Sequence, residues 1–273
     1  MEKEDESGIE KLPEGCVSNA IALTSPLDAC RSSAVSTAFR AAADSDLVWG
    51  RFLPADTPAL LSCALHPVDY SSKRDLFFRL CDSILIDGGK MSMWLERSSG
   101  AKCYALSARA LSIVWGDTPQ YWRWISSQDS RFAEVAELVN VCWLEIRGHI
   151  QSKMLTPKTT YAAYLIFKLA DWSRGLNHPT QEASVTLDLR SSATAVRLQP
   201  RCDDARGLFN RIRFGLLSAR DDGWMEVAMG EFYNEEGEDG EVVMSFMDIK
   251  GGHWKKGLIV QGIEIRPKHI KQR

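Results

Sequence analysis

The period of the apolar positions changes partway along the chain. Up to about residue 100, apolar residues recur at helical spacing between capping signals. Beyond it they come in short runs that alternate with polar residues. In the first stretch, Leu12 and Pro13 open a segment in which Val17 and Ile21 fall four residues apart. "TSPLDAC" then reads as a helix start, with Ser25 suited to the N-cap, Pro26 to the first helical position and Asp28 to the positive helix end. "AVSTAFRAAADSDLVWGRFLP" predicts a helix, a Ser45 cap, a second short helix through Trp49 and Phe52, and a stop at Pro54. "SSKRDLFFRLCD" (71–82) predicts one more amphipathic helix in a connecting segment.

From about residue 101 the pattern is that of strands. In "ELVNVCWLEIRGHI" (137–150), Cys142, Leu144 and Ile146 alternate with Trp143, Glu145 and Arg147. "TYAAYLIFKL" (160–169) is aromatic and β-prone. "GWMEVAMGEFY" (223–233) alternates again, and "GEVVMSFMDIK" (240–250) and "GLIVQGIEIRP" (257–267) complete the set. "NEEGEDGE" (234–241) reads as a hairpin loop between two of these runs. Many short strands with Gly-rich turns predict an antiparallel β-sandwich or jelly roll. The helices before it span only two or three turns each and need packing to persist in water. A unit of some 45 residues has a small core. It is expected to bury part of its apolar surface on something else.

Composition narrows the classes. Hydrophobic residues make up 45% and charged residues 25%, as in an ordinary folded protein, and the net charge of −3 carries no nucleic-acid footprint. The opening "MEKEDESG" is acidic and lacks the apolar core of a signal peptide, and no apolar run is long enough for a membrane span. Seven cysteines are widely spaced with no CxxC pair, which argues against a disulfide framework and a zinc site. No Asn begins a glycosylation sequon. These features together predict a reducing compartment, cytosol or nucleus, and no metal or cofactor.

Two blocks resemble a known family. "LPEGCVSNAIALTSPLDACRSSAVSTAFRAAADSDLVWGRFLP" (12–54) resembles an F-box. The segment from "SARALSIVWGDTPQYWRW" through "RDDGWMEVAMGEFYNEEGEDGEV" to "GLIVQGIEIRPK" resembles the Nictaba or phloem protein 2 lectin domain. Their order is that of plant F-box proteins of the phloem protein 2-B type, and the resemblance covers roughly residues 8 to 268. It implies an acidic disordered tail at 1–7, an F-box at 8–54, a helical connecting segment at 55–100, a β-sandwich lectin domain at 101–268 and a basic tail at 269–273.

The resemblance also implies roles. The F-box would dock on the Skp-type adaptor and, through it, on the cullin of an SCF ubiquitin ligase. Leu12, Pro13, Val17, Ile21, Pro26, Val35 and Trp49 match the family's motif positions. The lectin domain would bind chitin oligomers, the GlcNAc-containing core of N-glycans or galactose-containing glycans. Its binding residues correspond to Trp115, Trp122, Glu241 and Asp248. Asp248 stands where the family's reference lectin has Glu, one methylene shorter. Nuclear and cytoplasmic location follows from the same resemblance.

Chemistry agrees with that set. A pyranose presents one apolar face of C–H groups, which stacks on an aromatic ring, and a rim of hydroxyls, which donate to carboxylates. From the residues alone, Trp115 and Trp122 are open to both packing and ligand stacking. Trp143, Trp224 and Trp254 read as packing, Trp124 as core, and Tyr121 and Phe232 as further candidates for the pocket wall. Glu241 and Asp248 are seven apart, an odd spacing that puts them on opposite faces of a regular strand and on one site only across a bulge. Two carboxylates beside tryptophans also describe a glycosidase, but neither acid is expected to sit in an apolar setting that would raise its pKa, the resemblance is to lectins throughout, and a catalytic role is not expected. The alternatives are a stress-response lectin without a ligase role and an F-box adaptor whose sandwich binds protein.

Overall fold

The computed structural model describes residues 12–188, 190–199, 217–235 and 239–268. The expected tails at 1–7 and 269–273, and the first residues of the F-box block at 8–11, lie outside the described residues. The chain forms two compact units. One runs to Ile84 and takes in Met93–Lys102, and the other comprises Leu85–Ser92 and the chain from Cys103 on.

The first unit is helical: α1 (Glu14–Ile21), α2 (Pro26–Ser32), α3 (Thr37–Asp44), α4 (Asp46–Phe52), α5 (Thr57–Ser62) and α6 (Lys73–Cys81). Capping sets the boundaries. The side chains of Ser25, Ser36 and Ser72 accept hydrogen bonds from the N–H groups of Asp28, Phe39 and Asp75. Ser45 occupies the N-cap of α4 as predicted, without a side-chain capping bond. The core is built around Trp49, which is 1% exposed. Its ring lies 5.6, 5.2 and 5.2 Å from those of Phe52, Phe77 and Phe78, and its indole N–H donates to the Ala43 carbonyl at 2.7 Å. Residues 57–81 are therefore more than a connector, because α6 supplies two of these aromatic partners.

The second unit is a sandwich of two antiparallel sheets, confirming the expected class. Strands β1 (Ile84–Ile86) and β2 (Met91–Leu95) fall where the residue ranges of the two units alternate. They precede β3 (Lys102–Ser107), β4 (Ser112–Ile113), β5 (Trp122–Ile125), β6 (Val135–Leu138), β7 (Leu144–Gln151) and β8 (Thr159–Arg174). The remainder are β9 (Gln181–Leu187), β10 (Arg190–Val196), β11 (Leu217–Ala219), β12 (Met225–Asn234), β13 (Glu241–Asp248) and β14 (Lys256–Pro267). One sheet runs β3-β14-β8-β12-β11, with β6 also on β14 and β5 on β6. The other runs β10-β9-β13-β7-β4.

Inward positions alternate as the sequence predicts: Leu144, Ile146 and Ile150 of β7 and Val242, Met244 and Phe246 of β13 are all buried. The two layers meet closely at Gly148 of β7, where an added Cβ would come within 3.0–3.1 Å of Leu111, Leu106 and Ile263. One prediction fails here. β12 and β13 lie in different sheets, so these two strands do not form the predicted hairpin, and residues 236–238 between them lie outside the described residues. Composition cannot tell a hairpin from a crossing between sheets, since both connections need short polar residues.

The cysteines give a first test. Cys16 and Cys63 are exposed, Cys103 is buried, and burial pushes the Cys81 thiol up to about 12. Iodoacetamide at neutral pH is expected to label Cys16 and Cys63 in the folded chain and to reach Cys81 and Cys103 only on unfolding. Peptide mass spectrometry showing equal labelling of all four would contradict this packing.

Candidate functional site

The tryptophans of "LSIVWGDTPQYWRWIS" divide between display and support. Trp115 sits at φ 59°, in the left-handed region that a bulky residue rarely adopts, and is 43% exposed. Its ring lies 5.1 Å from that of Tyr121. The two later indoles brace the turn. Trp122 donates to the Val114 carbonyl at 3.2 Å and Trp124 to the Gly116 carbonyl at 3.0 Å, so the residues on both sides of Trp115 are tied down. Arg109 covers the Trp124 ring at 3.7 Å. Trp122 is only 2% exposed. This corrects its expected place on the surface: β5 pairs with β6, and its alternation turns Trp122 inward and Arg123 outward.

The two acids part company as well. β13 pairs with β7 in unbroken register from Glu241, opposite Gln151, to Asp248, opposite Leu144. With no bulge, the odd spacing places them on opposite faces. Glu241 points outward, half exposed, 3.3 Å from His149. Asp248 points inward and is 3% exposed. Its carboxylate lies 3.0 Å from the Lys255 ammonium and accepts from the Gln181 amide at 3.0 Å. Lys255 is itself fully buried and donates to the carbonyls of Cys142 at 2.8 Å and Asp248 at 2.6 Å. Val114 donates to the Glu145 carbonyl at 3.1 Å, six residues along β7 from the partner of Glu241, or roughly 20 Å. Trp115, Trp122, Glu241 and Asp248 therefore do not line one site. Trp115 and Glu241 are displayed at different ends of a sheet, and Trp122 and Asp248 are internal supports.

Sequence reasoning missed other aromatic residues. Trp143 and Trp254, expected in the core, are 42% and 55% exposed, and Trp172 is 42% exposed. Trp224 is buried as expected, packed with Val135 and Ile166, and Phe232 is buried against Tyr161. The Trp143 indole is fixed: its N–H donates to Glu145 Oε2 at 2.8 Å, and Arg147 holds Glu145 Oε1 at 2.7 Å. The alternation of β7 was the available signal, since Trp143, Glu145 and Arg147 share one parity.

The seven F-box positions also divide. Leu12, Pro13 and Val35 are exposed, whereas Val17, Ile21, Pro26 and Trp49 are buried. Those four are corrected from contact residues to core, since their side chains already fill the interior of the helical unit. Three apolar residues outside that set join the displayed ones: Leu23, Leu27 and Leu47 are 75%, 41% and 50% exposed. Leu23 and Leu47 border a shallow groove of about 420 Å³ with Asn19, Ala22, Gly50 and Arg51. Among the described residues no group of three or more His, Cys, Asp or Glu could hold a metal ion.

Comparison with known proteins accounts for this pairing of units. Residues 101–267 match the family model described as phloem protein 2. The Arabidopsis thaliana F-box protein At2g02240 is 44% identical over 96% of this chain and 81% of its own. F-box protein PP2-B10 of the same plant is 42% identical over 98% of this chain and 97% of its own. Putative F-box protein PP2-B12 is 44% identical over 95% and 98%. A helical unit followed by a β-sandwich matched by the phloem protein 2 model, with such relatives along nearly the whole length, leads to one assignment: the chain belongs to the plant F-box proteins of the phloem protein 2-B type.

Proposed function

We propose that this protein is the substrate-recognition subunit of an SCF-type ubiquitin ligase and catalyses nothing itself. Its helical unit docks on a Skp-type adaptor, which joins it to the cullin. Its β unit captures a glycan or glycoprotein carrying GlcNAc or galactose, in the nucleus and cytoplasm. The observation that carries the adaptor half is the set of large apolar side chains left in water on the helical unit: Leu12, Leu23, Leu27, Val35 and Leu47. Leu23 and Leu47 border one groove, and a contiguous apolar patch on a small unit marks an interaction site. The names of the relatives support the same reading. For the glycan half, the support is Trp115, a ring held in a strained backbone conformation and braced by two neighbouring indoles.

Co-purification with a Skp-type adaptor tests the first half. The double variant Leu23→Asp/Val35→Asp should lose the adaptor while keeping its helical circular dichroism, because both side chains are already in water. Retained capture would overturn the docking surface. Calorimetric titration with chitotriose and an N-glycan core pentasaccharide tests the second half, and absence of binding to either would count against a sugar site for these ligands.

A further inference from the structure

We propose that Trp143 is a second stacking position for the same glycan, so that the β unit binds an oligosaccharide of at least two pyranose rings across Trp115 and Trp143. This rests on the reading of the β unit as a glycan-binding module. The chain segments that carry the two rings meet at one residue. The N–H of Val114, which precedes Trp115, donates to the backbone carbonyl of Glu145, and the indole of Trp143 donates to its carboxylate. A ring tied by its N–H edge keeps its faces free and loses little further freedom when a ligand stacks on it. Glu145 thus acts as a positioning residue, itself held by Arg147.

The support extends inward. Lys255, paired with Asp248 in the interior, donates to the carbonyl of Cys142, the residue before Trp143. Lys255 also exchanges backbone hydrogen bonds with Val141, in both directions, at 2.8 and 3.0 Å. The buried pair therefore sets the chain segment from which Trp143 emerges. Asp248 contributes to ligand binding by this route and not by contact.

What surrounds the ring selects the ligand. The exposed positions of this sheet include Ser112, Arg147, His149 and Glu182, so hydroxyl, charged and imidazole groups share the sheet with Trp143, alongside the half-buried Met247 opposite Glu145. The core of a protein interface is depleted of charged residues, and its polar groups lie at the rim. A sugar needs one aromatic face and a rim of hydrogen-bonding groups. The nearby cleft bordered by Met247 and Glu182 holds about 40 Å³, little more than one water, so the ligand lies on an open platform.

Calorimetry of the full chain with chitotriose and the N-glycan core pentasaccharide, using Trp143→Ala, Trp143→Phe, Trp115→Ala, Glu145→Ala and Glu145→Gln, decides the point. Trp143→Ala should weaken binding about tenfold with an unchanged unfolding midpoint, and Trp143→Phe should retain most of it. Glu145→Gln keeps an oxygen to accept the indole N–H and should bind nearly as wild type, whereas Glu145→Ala should not. Wild-type affinity in Trp143→Ala, with loss in Trp115→Ala, overturns the second position and leaves the glycan module standing. Loss of a protein target from Trp143→Ala with unchanged sugar binding overturns it in favour of a protein surface. No binding by the wild type to either probe overturns the module itself for these glycans and the inference with it.

Discussion

Asp248→Asn should destabilise the β unit by about 3–5 kcal/mol, the range for breaking a buried ion pair from one side. The amide removes the charge that offsets Lys255, while the ammonium stays fully buried with only the Cys142 and Asp248 carbonyls for company. Each kilocalorie moves the midpoint of a domain of this size by roughly 2–4 °C, so the thermal midpoint should fall by roughly 6–20 °C. The paired replacement Asp248→Leu/Lys255→Met removes both charges together and should recover most of the loss. The measurement is the midpoint of the β-sheet signal by circular dichroism for both variants. A single variant as stable as wild type would show that water or an altered protonation state compensates the pair. Equal losses in single and double variants would assign the effect to packing.

Trp49→Ala should cost the helical unit about 3–5 kcal/mol, as for the largest core aromatics. The indole is the common neighbour of Phe52, Phe77 and Phe78, and its N–H satisfies the Ala43 carbonyl. Six short helices have little else to absorb that loss, since each is marginal alone and the whole depends on shared packing. Urea unfolding followed at 222 nm should show the helical transition moved to the lowest denaturant concentrations or lost, with the sheet transition retained. Trp49→Phe, which keeps most of the packing and loses the hydrogen bond, should cost about 1–3 kcal/mol. A near-neutral Trp49→Ala would mean that the ring sits at a partner surface after all. The contrast with Leu23→Asp/Val35→Asp matters: on the proposed docking, one change would remove the adaptor by unfolding the unit, the other without unfolding it.

Much of the architecture was legible because local chemistry and tertiary packing agree. Ser25, Pro26 and Asp28 start α2 where predicted, and the period-two runs of β7 and β12 become strands with the expected faces buried. The family was legible from two blocks of sequence and their order. The site was less so. Parity along β13 put Glu241 and Asp248 on opposite faces, and only a bulge, which the strand does not have, could have joined them. Trp143 shares parity with Glu145 and Arg147, yet the general tendency of tryptophan to be buried pointed to the core. Trp122 could not be separated from Trp115 by composition, since the difference lies in the backbone, which holds Trp115 in a left-handed conformation outside and turns Trp122 inward on β5. Likewise, nothing in a short acidic segment distinguishes a hairpin from a crossing between layers.

The uneven burial of the indoles has an optical consequence. Nine tryptophans are present, and seven of them belong to the β unit, leaving Trp49 and Trp94 to the helical one. Trp49, Trp122 and Trp224 are at most 2% exposed, while Trp115, Trp143, Trp172 and Trp254 are at least 42% exposed. Emission is therefore a composite of a blue, shielded population and a red, solvated one. Acrylamide should remove the red component first and leave a blue residual spectrum. A saccharide resting on the displayed rings would shield part of the red component alone, so its binding is readable as a change in quenching even where total intensity stays constant.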